Sequence, residues 1–227
     1  MNMLAWIPPI IVSKLVRSKV PNLAGDRDIE WSWVAGNIPD GNGNALDFGY
    51  GSSSLPLVLA LKGYHTMAID LEKHQQNYFA PNITFIRGDI LAVDLPRNYY
   101  DVVVNCSTVE HVGLAGRYGV KEDNLDGDLQ AMVRLGDLMK PQGIMLLTIP
   151  VGQDAVFKPL CRVYGNARTP ELLKGYIVDG QEYWVKDTYN RWVLVSKEIA
   201  LNYKASAGSW NPLRNIYALG CFVLRKP

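Results

Sequence analysis

Glu110 and His111, adjacent after a long apolar run, are the residues of this chain best suited to moving a proton. An imidazole titrates near neutral pH and accepts a proton from a hydroxyl within its reach, and a neighbouring carboxylate orients it or helps hold a ligand. A structural histidine bonded to loop backbone is the competing account of His111. His65 and His74 fall at a strand start and in a polar loop, where no role suggests itself. Three more carboxylates, Asp47, Asp70 and Asp89, lie at or just after short apolar segments. Open α/β sheets bind ligands at the carboxyl ends of their strands, so acids repeated there frame a crevice that favours a cationic ligand.

The stretch Ala45 to Leu57, ALDFGYGSSSLPL, holds the first of these acids. It reads as a strand end, a tight turn and a helix start, with Gly49 and Gly51 present because side chains would block backbone approach to a ligand. Ser52 to Ser54 offer N-cap hydroxyls, and Pro56 fits a first helical turn. Glycine loops of this kind also serve dinucleotides, but Asp47 stands two residues ahead of the first glycine, where a carboxylate repels pyrophosphate. It suits a ligand with an ammonium group and no phosphate, such as S-adenosylmethionine. Ser54 occupies the third-glycine place of the dinucleotide pattern. Asp47-Phe48-Gly49-Tyr50-Gly51 resembles D-x-G-x-G, the first motif of class I S-adenosylmethionine-dependent methyltransferases, with Ser53 where that family often has another glycine.

That resemblance implies further roles. Asp70 follows Asp47 at close to the offset of about 20 residues where a second-strand acid meets ribose hydroxyls, with Glu72 as its competitor. Asp89 is implied to accept from the adenine amino group with Ile90 against the ring; a loop aspartate capping a turn is the other account. Tyr50, Leu71, Cys106 and Ser107 complete the implied cofactor contacts. Thr108 to Gly113, TVEHVG, is similar to the EH-containing stretch after the fourth strand of small-molecule methyltransferases, which makes Glu110 and His111 the implied catalytic pair. LMKPQGIMLLTIP is similar to the family's leucine-lysine-proline-glycine-glycine turn, with Gln142 where glycine is frequent. More narrowly, EHVGLAGRYG and the later RVYG resemble bacterial methyltransferase-like proteins of polysaccharide or secondary-metabolite pathways.

The elements that must position these residues alternate between strand and helix, which predicts a Rossmann-like α/β domain with a doubly wound, mostly parallel sheet. Helix is expected over Leu55 to Lys62 and Leu129 to Lys140, the latter capped by Asp126 or Asp128. Strands are expected at His65 to Ile69, Ile83 to Ile86, Tyr100 to Ser107 and Ile144 to Ile149, with Pro141-Gln142-Gly143 as a turn. Tyr100 to Ser107, YDVVVNCS, fits a strand buried on both faces. The resemblance implies seven strands with the last, Tyr217 to Leu224, antiparallel. The domain is expected over residues 44–227, with an acceptor-pocket insertion over about 151–196 containing a helix at Thr169 to Lys174 and strands at Tyr176 to Val185 and Arg191 to Ser196. Arg117, Tyr118, Arg162, Tyr164, Arg168 and Trp184 are the expected acceptor contacts, suited to a sugar, a nucleotide sugar or an aromatic metabolite.

Composition narrows the alternatives. With 227 residues, 48% of them hydrophobic, the chain is long enough for one such domain with a proper core. A formal charge of +1 lacks the basic footprint of a nucleic-acid binder. Cys106, Cys161 and Cys221 are widely spaced and outside any metal-ligand pattern, which fits a reduced cytoplasmic compartment and no metal. Residues 1–43 are expected to be an arm or lid, with a short helix from about Ile10 to Lys19 and a polar loop between Arg27 and Asn44. Its apolar part is too short for stable membrane insertion and is interrupted by Pro8 and Pro9; transient contact through Trp6, Ile7, Lys14, Arg17 and Lys19 is the alternative. The expected protein is a monomer or homodimer that methylates a small molecule, at oxygen, from S-adenosylmethionine. Nucleic-acid methylation and non-catalytic cofactor binding are the rivals.

Overall fold

The computed structural model describes residues 27–76, 78–187, 191–205 and 218–227. The helix expected at Ile10 to Lys19 lies outside them. The sheet has eight strands in the order β3-β2-β1-β4-β5-β10-β8-β9. These are β1 (Asn44–Phe48), β2 (His65–Asp70), β3 (Ile83–Arg87), β4 (Tyr100–Cys106), β5 (Met139–Val151), β8 (Ile177–Lys186), β9 (Trp192–Val195) and β10 (Ala218–Arg225). β1 to β5 run parallel, and β10 lies antiparallel between β5 and β8. The antiparallel final strand agrees with expectation, but the strand number does not: β9 adds an eighth by pairing antiparallel to β8. A separate hairpin of β6 (Ala155–Phe157) and β7 (Cys161–Val163) follows β5, in the segment where only irregular chain and a short helix were expected.

Strand alternation sorts the core into two layers. Along β4, Val102, Val104 and Cys106 pack on one face with Ala45, Leu55, Leu59 and Leu146. Val103 faces the other way, towards Leu135, Leu138 and Ile149, and the break in register between Tyr100 and Val102 puts Tyr100 in that same layer. Helix α1 (Arg27–Asn37) and α2 (Leu55–Leu61) cover the first face. Helix α3 (Gly127–Leu138) covers the second, and the short helices α4 (Arg168–Leu172) and α5 (Lys197–Leu201) each bury residues in that same layer.

In the stretch expected to hold a polar loop, residues 27–37 form helix α1 and the loop is confined to residues 38–43. Glu30, Val34 and the following Ile38 recur every four residues, and all three are buried. The Glu30 carboxylate accepts from Thr148 Oγ1 at 2.9 Å, so this helix is pinned to β5.

Two other local expectations need correction. The Lys140-Pro141-Gln142-Gly143 segment is no separate turn: β5 runs through it, with a shift in pairing between Tyr100 and Val102 and a left-handed Gln142 (φ 63°). The expected caps form only in part: Ser53 Oγ accepts from the amide of Leu55, the first residue of α2, at 3.4 Å. Ser54 and Asp126 occupy the N-cap positions of α2 and α3 without a side-chain capping bond, while Asp128 turns inward.

Candidate active site

The carboxyl ends of β1, β2 and β4 open onto a cavity of about 350 Å³. Its wall includes Asp47, Gly49, Tyr50, Gly51, Asp70, Leu71, Asp89, Ile90, Cys106 and Ser107, the ten residues expected to hold a cofactor. The turn after β1 exists in this form because Gly49 and Gly51 adopt left-handed backbone (φ 76° and 49°). A Cβ on Gly49 would come within 2.2 Å of Thr108, whereas one on Gly51 would meet nothing nearer than 4.0 Å. Gly49 is therefore required by the protein's own packing, and Gly51 by its conformation at the cavity wall.

The acids are set differently. Asp47 is 1% exposed, and its Oδ2 finds no hydrogen-bond partner among the described residues. Burial, with the nearby Asp70 charge adding to it, pushes the Asp47 carboxyl up to about 8. Asp70 is engaged: Oδ2 accepts from the Gly51 amide at 3.0 Å and lies 3.3 Å from His74 Nε2, while Oδ1 accepts from the Glu72 amide at 3.0 Å. Glu72 thus supports Asp70 through its backbone. Asp89 Oδ1 accepts from the Leu91 amide at 2.9 Å, a turn bond that coexists with a place on the cavity wall beside buried Ile90.

Beyond β4 the backbone is held under strain. Ser107 is left-handed (φ 51°), and its amide donates to both the carbonyl and the Oγ1 of Thr148. The Glu30–Thr148 bond backs that same hydroxyl. The chain then makes one 3₁₀ turn, Val109–His111. His111 lines the cavity, and its Nδ1 lies 2.6 Å from the Leu160 carbonyl oxygen. A carbonyl only accepts, so Nδ1 carries the proton and Nε2 is the acceptor nitrogen of the neutral ring. Glu110 is buried behind the wall, with Oε1 3.7 Å from His111 Nε2.

The expected acceptor contacts divide. Tyr118 lines the cavity, and its ring meets that of His111 edge-on at 5.6 Å. Arg117 lies outside the wall, with its guanidinium 4.6 Å from the Tyr118 ring centre. Arg162, Tyr164, Arg168 and Trp184 are not brought to the cavity. Arg162 is 3% exposed and spends its guanidinium on backbone carbonyls. Tyr164 is fully buried and donates to Asp128 Oδ2 at 3.1 Å. Arg168 binds Asp126 and Asp128, and Trp184 sits within β8 between β9 and β10. Basic and aromatic residues after β5 looked like pocket residues in sequence; a buried Asp128 at the start of α3 consumes three of them.

Sequence reasoning passed over Trp31, His74, Glu122 and Asn124, all on the wall. His74 follows Asp70 by four residues and packs edge-on against Tyr50 at 5.4 Å, a spacing that was a usable sign. Trp31 and Trp33 stand two residues apart in the sequence, and no local feature marks the first of them for a cavity.

The cavity's own residues fit S-adenosylmethionine. Asp47 offers a desolvated carboxyl with an unpartnered Oδ2, Asp70 stands at the end of β2, and Asp89 with Ile90 presents an acceptor edge beside an apolar face. Among the described residues no cluster suits a metal ion, and no helix is long and apolar enough to cross a membrane.

Comparison with known proteins gives a family and a fold. The family profile described as "Caenorhabditis protein of unknown function, DUF268" matches residues 58–207. No curated protein sequence matches the chain. Among solved structures, a S-adenosylmethionine-dependent methyltransferase from Archaeoglobus fulgidus is 14% identical, with 90% of this chain and 96% of that chain covered at a TM-score of 0.59. The 1,6-didemethyltoxoflavin-N1-methyltransferase of Burkholderia thailandensis, crystallised with 1,6-didemethyltoxoflavin and S-adenosylhomocysteine, is 12% identical over 97% of this chain and 91% of that chain (TM-score 0.54). The [4+2]-cyclase SpnF is 16% identical over 86% and 79% (TM-score 0.58). The fold is that of the class I S-adenosylmethionine-dependent methyltransferases.

Proposed function

The chain belongs to the DUF268 family, and from its fold and cavity we propose that it transfers a methyl group from S-adenosylmethionine to an oxygen of a small molecule, a sugar or secondary metabolite. The observation that carries this reading is the convergence of Asp47, Asp70 and Asp89 on one cavity that His111 also lines. When bound, the cofactor supplies an already activated sulfonium methyl. The Asp47 carboxylate pairs the cofactor's ammonium, Asp70 accepts from the ribose hydroxyls, and Asp89 with Ile90 takes the adenine edge and face. His111 Nε2 receives the acceptor hydroxyl's proton, and the Glu110 carboxylate beside it stabilises the resulting imidazolium. Trp31 and Tyr118 supply aromatic wall against which a sugar or an aromatic metabolite packs. With Arg162 and Arg168 committed elsewhere, the phosphate recognition expected of them is withdrawn from the reading.

Calorimetry with S-adenosylhomocysteine, followed by an acceptor panel of sugars, phenols and amines with mass detection of a methyl gain, tests the proposal. Binding of S-adenosylhomocysteine together with methylation of a hydroxyl acceptor is expected, with turnover lost in His111→Ala at retained cofactor affinity. A cavity that takes NADH and refuses S-adenosylhomocysteine overturns the cofactor assignment. Cofactor binding with no methyl gain anywhere favours the non-catalytic rival, and the cyclase of the same fold is a reason to assay the acceptors for other changes in mass.

A further inference from the structure

We propose that the β6–β7 hairpin is a brace that sets the tautomer and orientation of His111, with Arg162 as its positioning residue; the catalytic meaning of this brace rests on the reading of His111 given above. At the hairpin's turn, the Leu160 carbonyl accepts from His111 Nδ1 at 2.6 Å and from Arg117 Nη1 at 3.2 Å. Two residues on, Arg162 donates from Nη1 to the carbonyls of Glu110 (3.3 Å) and Val112 (2.6 Å). From Nη2 it donates to those of Asn124 (3.1 Å) and Leu125 (3.3 Å). The Asp128 carboxylate lies 3.6 Å from its Nε. One buried guanidinium therefore ties together the two segments that carry His111, Val112, Gly113 and Asn124 to the cavity wall. A third tie, Lys158 Nζ to Asp123 Oδ2 at 2.5 Å, fastens the hairpin's edge to the same loop.

The chemistry of the donor decides why this residue is arginine. A guanidinium presents five N–H groups in a fixed plane and bonds four carbonyls from two directions at once; an ammonium has three donors and no fork. With the flanking carbonyls of Glu110 and Val112 held on one side and Leu160 on the other, the imidazole keeps its Nδ1–H bond in both charge states. Proton exchange then falls to Nε2, on the side of the ring that faces the Glu110 carboxylate.

The test uses the intact protein labelled with ¹⁵N. Only three histidines are present, so the ring nitrogens of His111 are separable from those of His65 and His74. In the parent, Nδ1 of His111 keeps the shift of a protonated nitrogen through the titration while Nε2 alone moves. In Arg162→Lys both nitrogens titrate, and S-adenosylhomocysteine affinity stays within about threefold, a change too small to reflect a lost cofactor contact. Leu59→Ala, a cavity in the opposite core layer, lowers stability and leaves the His111 pattern intact. An unchanged pattern in Arg162→Lys, or a lost one in Leu59→Ala, overturns the positioning role. Lys158→Ala probes the brace without uncovering a buried charge: exchange of the Nδ1-bound proton speeds up severalfold, and unchanged exchange counts against the brace. Failure of the parent to bind S-adenosylhomocysteine would sink the cofactor reading alone, since the tautomer is read without ligand.

Discussion

Asp47→Asn separates the two things the Asp47 carboxyl does. In the folded, ligand-free chain burial raises it to about 8, with Asp70 adding to the effect, whereas an unfolded chain ionises an aspartate near 3.9. Between those values the folded state holds a proton that the unfolded state has released. Its contribution to stability is therefore fully present below about pH 4 and is lost as pH rises towards 8. At 1.36 kcal/mol for each pH unit, the loss reaches about 4 kcal/mol by pH 7 and levels off above pH 8. Asparagine carries no such titration, but its amide inherits the unpartnered Oδ2 position, at a cost of about 1–3 kcal/mol. The variant should accordingly match or fall below the parent near pH 5 and exceed it by about 1–3 kcal/mol at pH 7, and by about 1 kcal/mol more at pH 8. Urea denaturation of ligand-free protein across that range measures the difference. Ligand binding reverses the ranking: losing a charged hydrogen bond of about 1.5–3 kcal/mol weakens S-adenosylhomocysteine roughly 10- to 100-fold. The parent should also release a proton on binding at pH 7, seen as a buffer-dependent heat that the variant lacks. Parallel stability profiles in parent and variant would refute the idea that this carboxyl is stored uncharged and ionised by its ligand.

Gly49→Ala combines a left-handed backbone with a 2.2 Å approach to Thr108 and should cost at least about 1–2 kcal/mol while abolishing S-adenosylhomocysteine binding; a stable variant that binds normally would count against it. Asp128→Ala strands the Arg162 charge and removes partners of Tyr164 and Arg168, so a loss of about 3–5 kcal/mol is expected in chemical denaturation, and less than about 1 kcal/mol would be inconsistent with the network. Trp31→Phe should remove most of the tryptophan fluorescence change seen when S-adenosylhomocysteine enters the cavity; an undiminished change would place that reporter elsewhere.

The sequence made the cofactor end of this site readable because each contact there is local. Asp47 and the glycines flank one turn, Asp70 ends β2, and Asp89 follows the end of β3 by two residues, each beside a strand whose apolar residues announce it. Helix α1 was hidden because its stripe of Glu30, Val34 and Ile38 includes a carboxylate, and the hydroxyl that makes burying it tolerable lies 118 residues away. The acceptor end was misread for a related reason. Arg162 bonds carbonyls 37 to 52 residues distant, and no local pattern distinguishes a guanidinium that faces a ligand from one that staples loops. The β6–β7 hairpin has only three residues in each strand, too few for alternation to show.

The place of β10 bears on how the chain is made. It is synthesised after β8 and β9, yet it slots between β5 and β8 and supplies the hydrogen bonds for both. A nascent chain that has already emitted β8 and β9 thus leaves β5 with an unzipped flank rich in leucine and isoleucine. Ribosome-bound chains halted before Ala218 should engage holdase chaperones through that flank, and release should coincide with the arrival of β10.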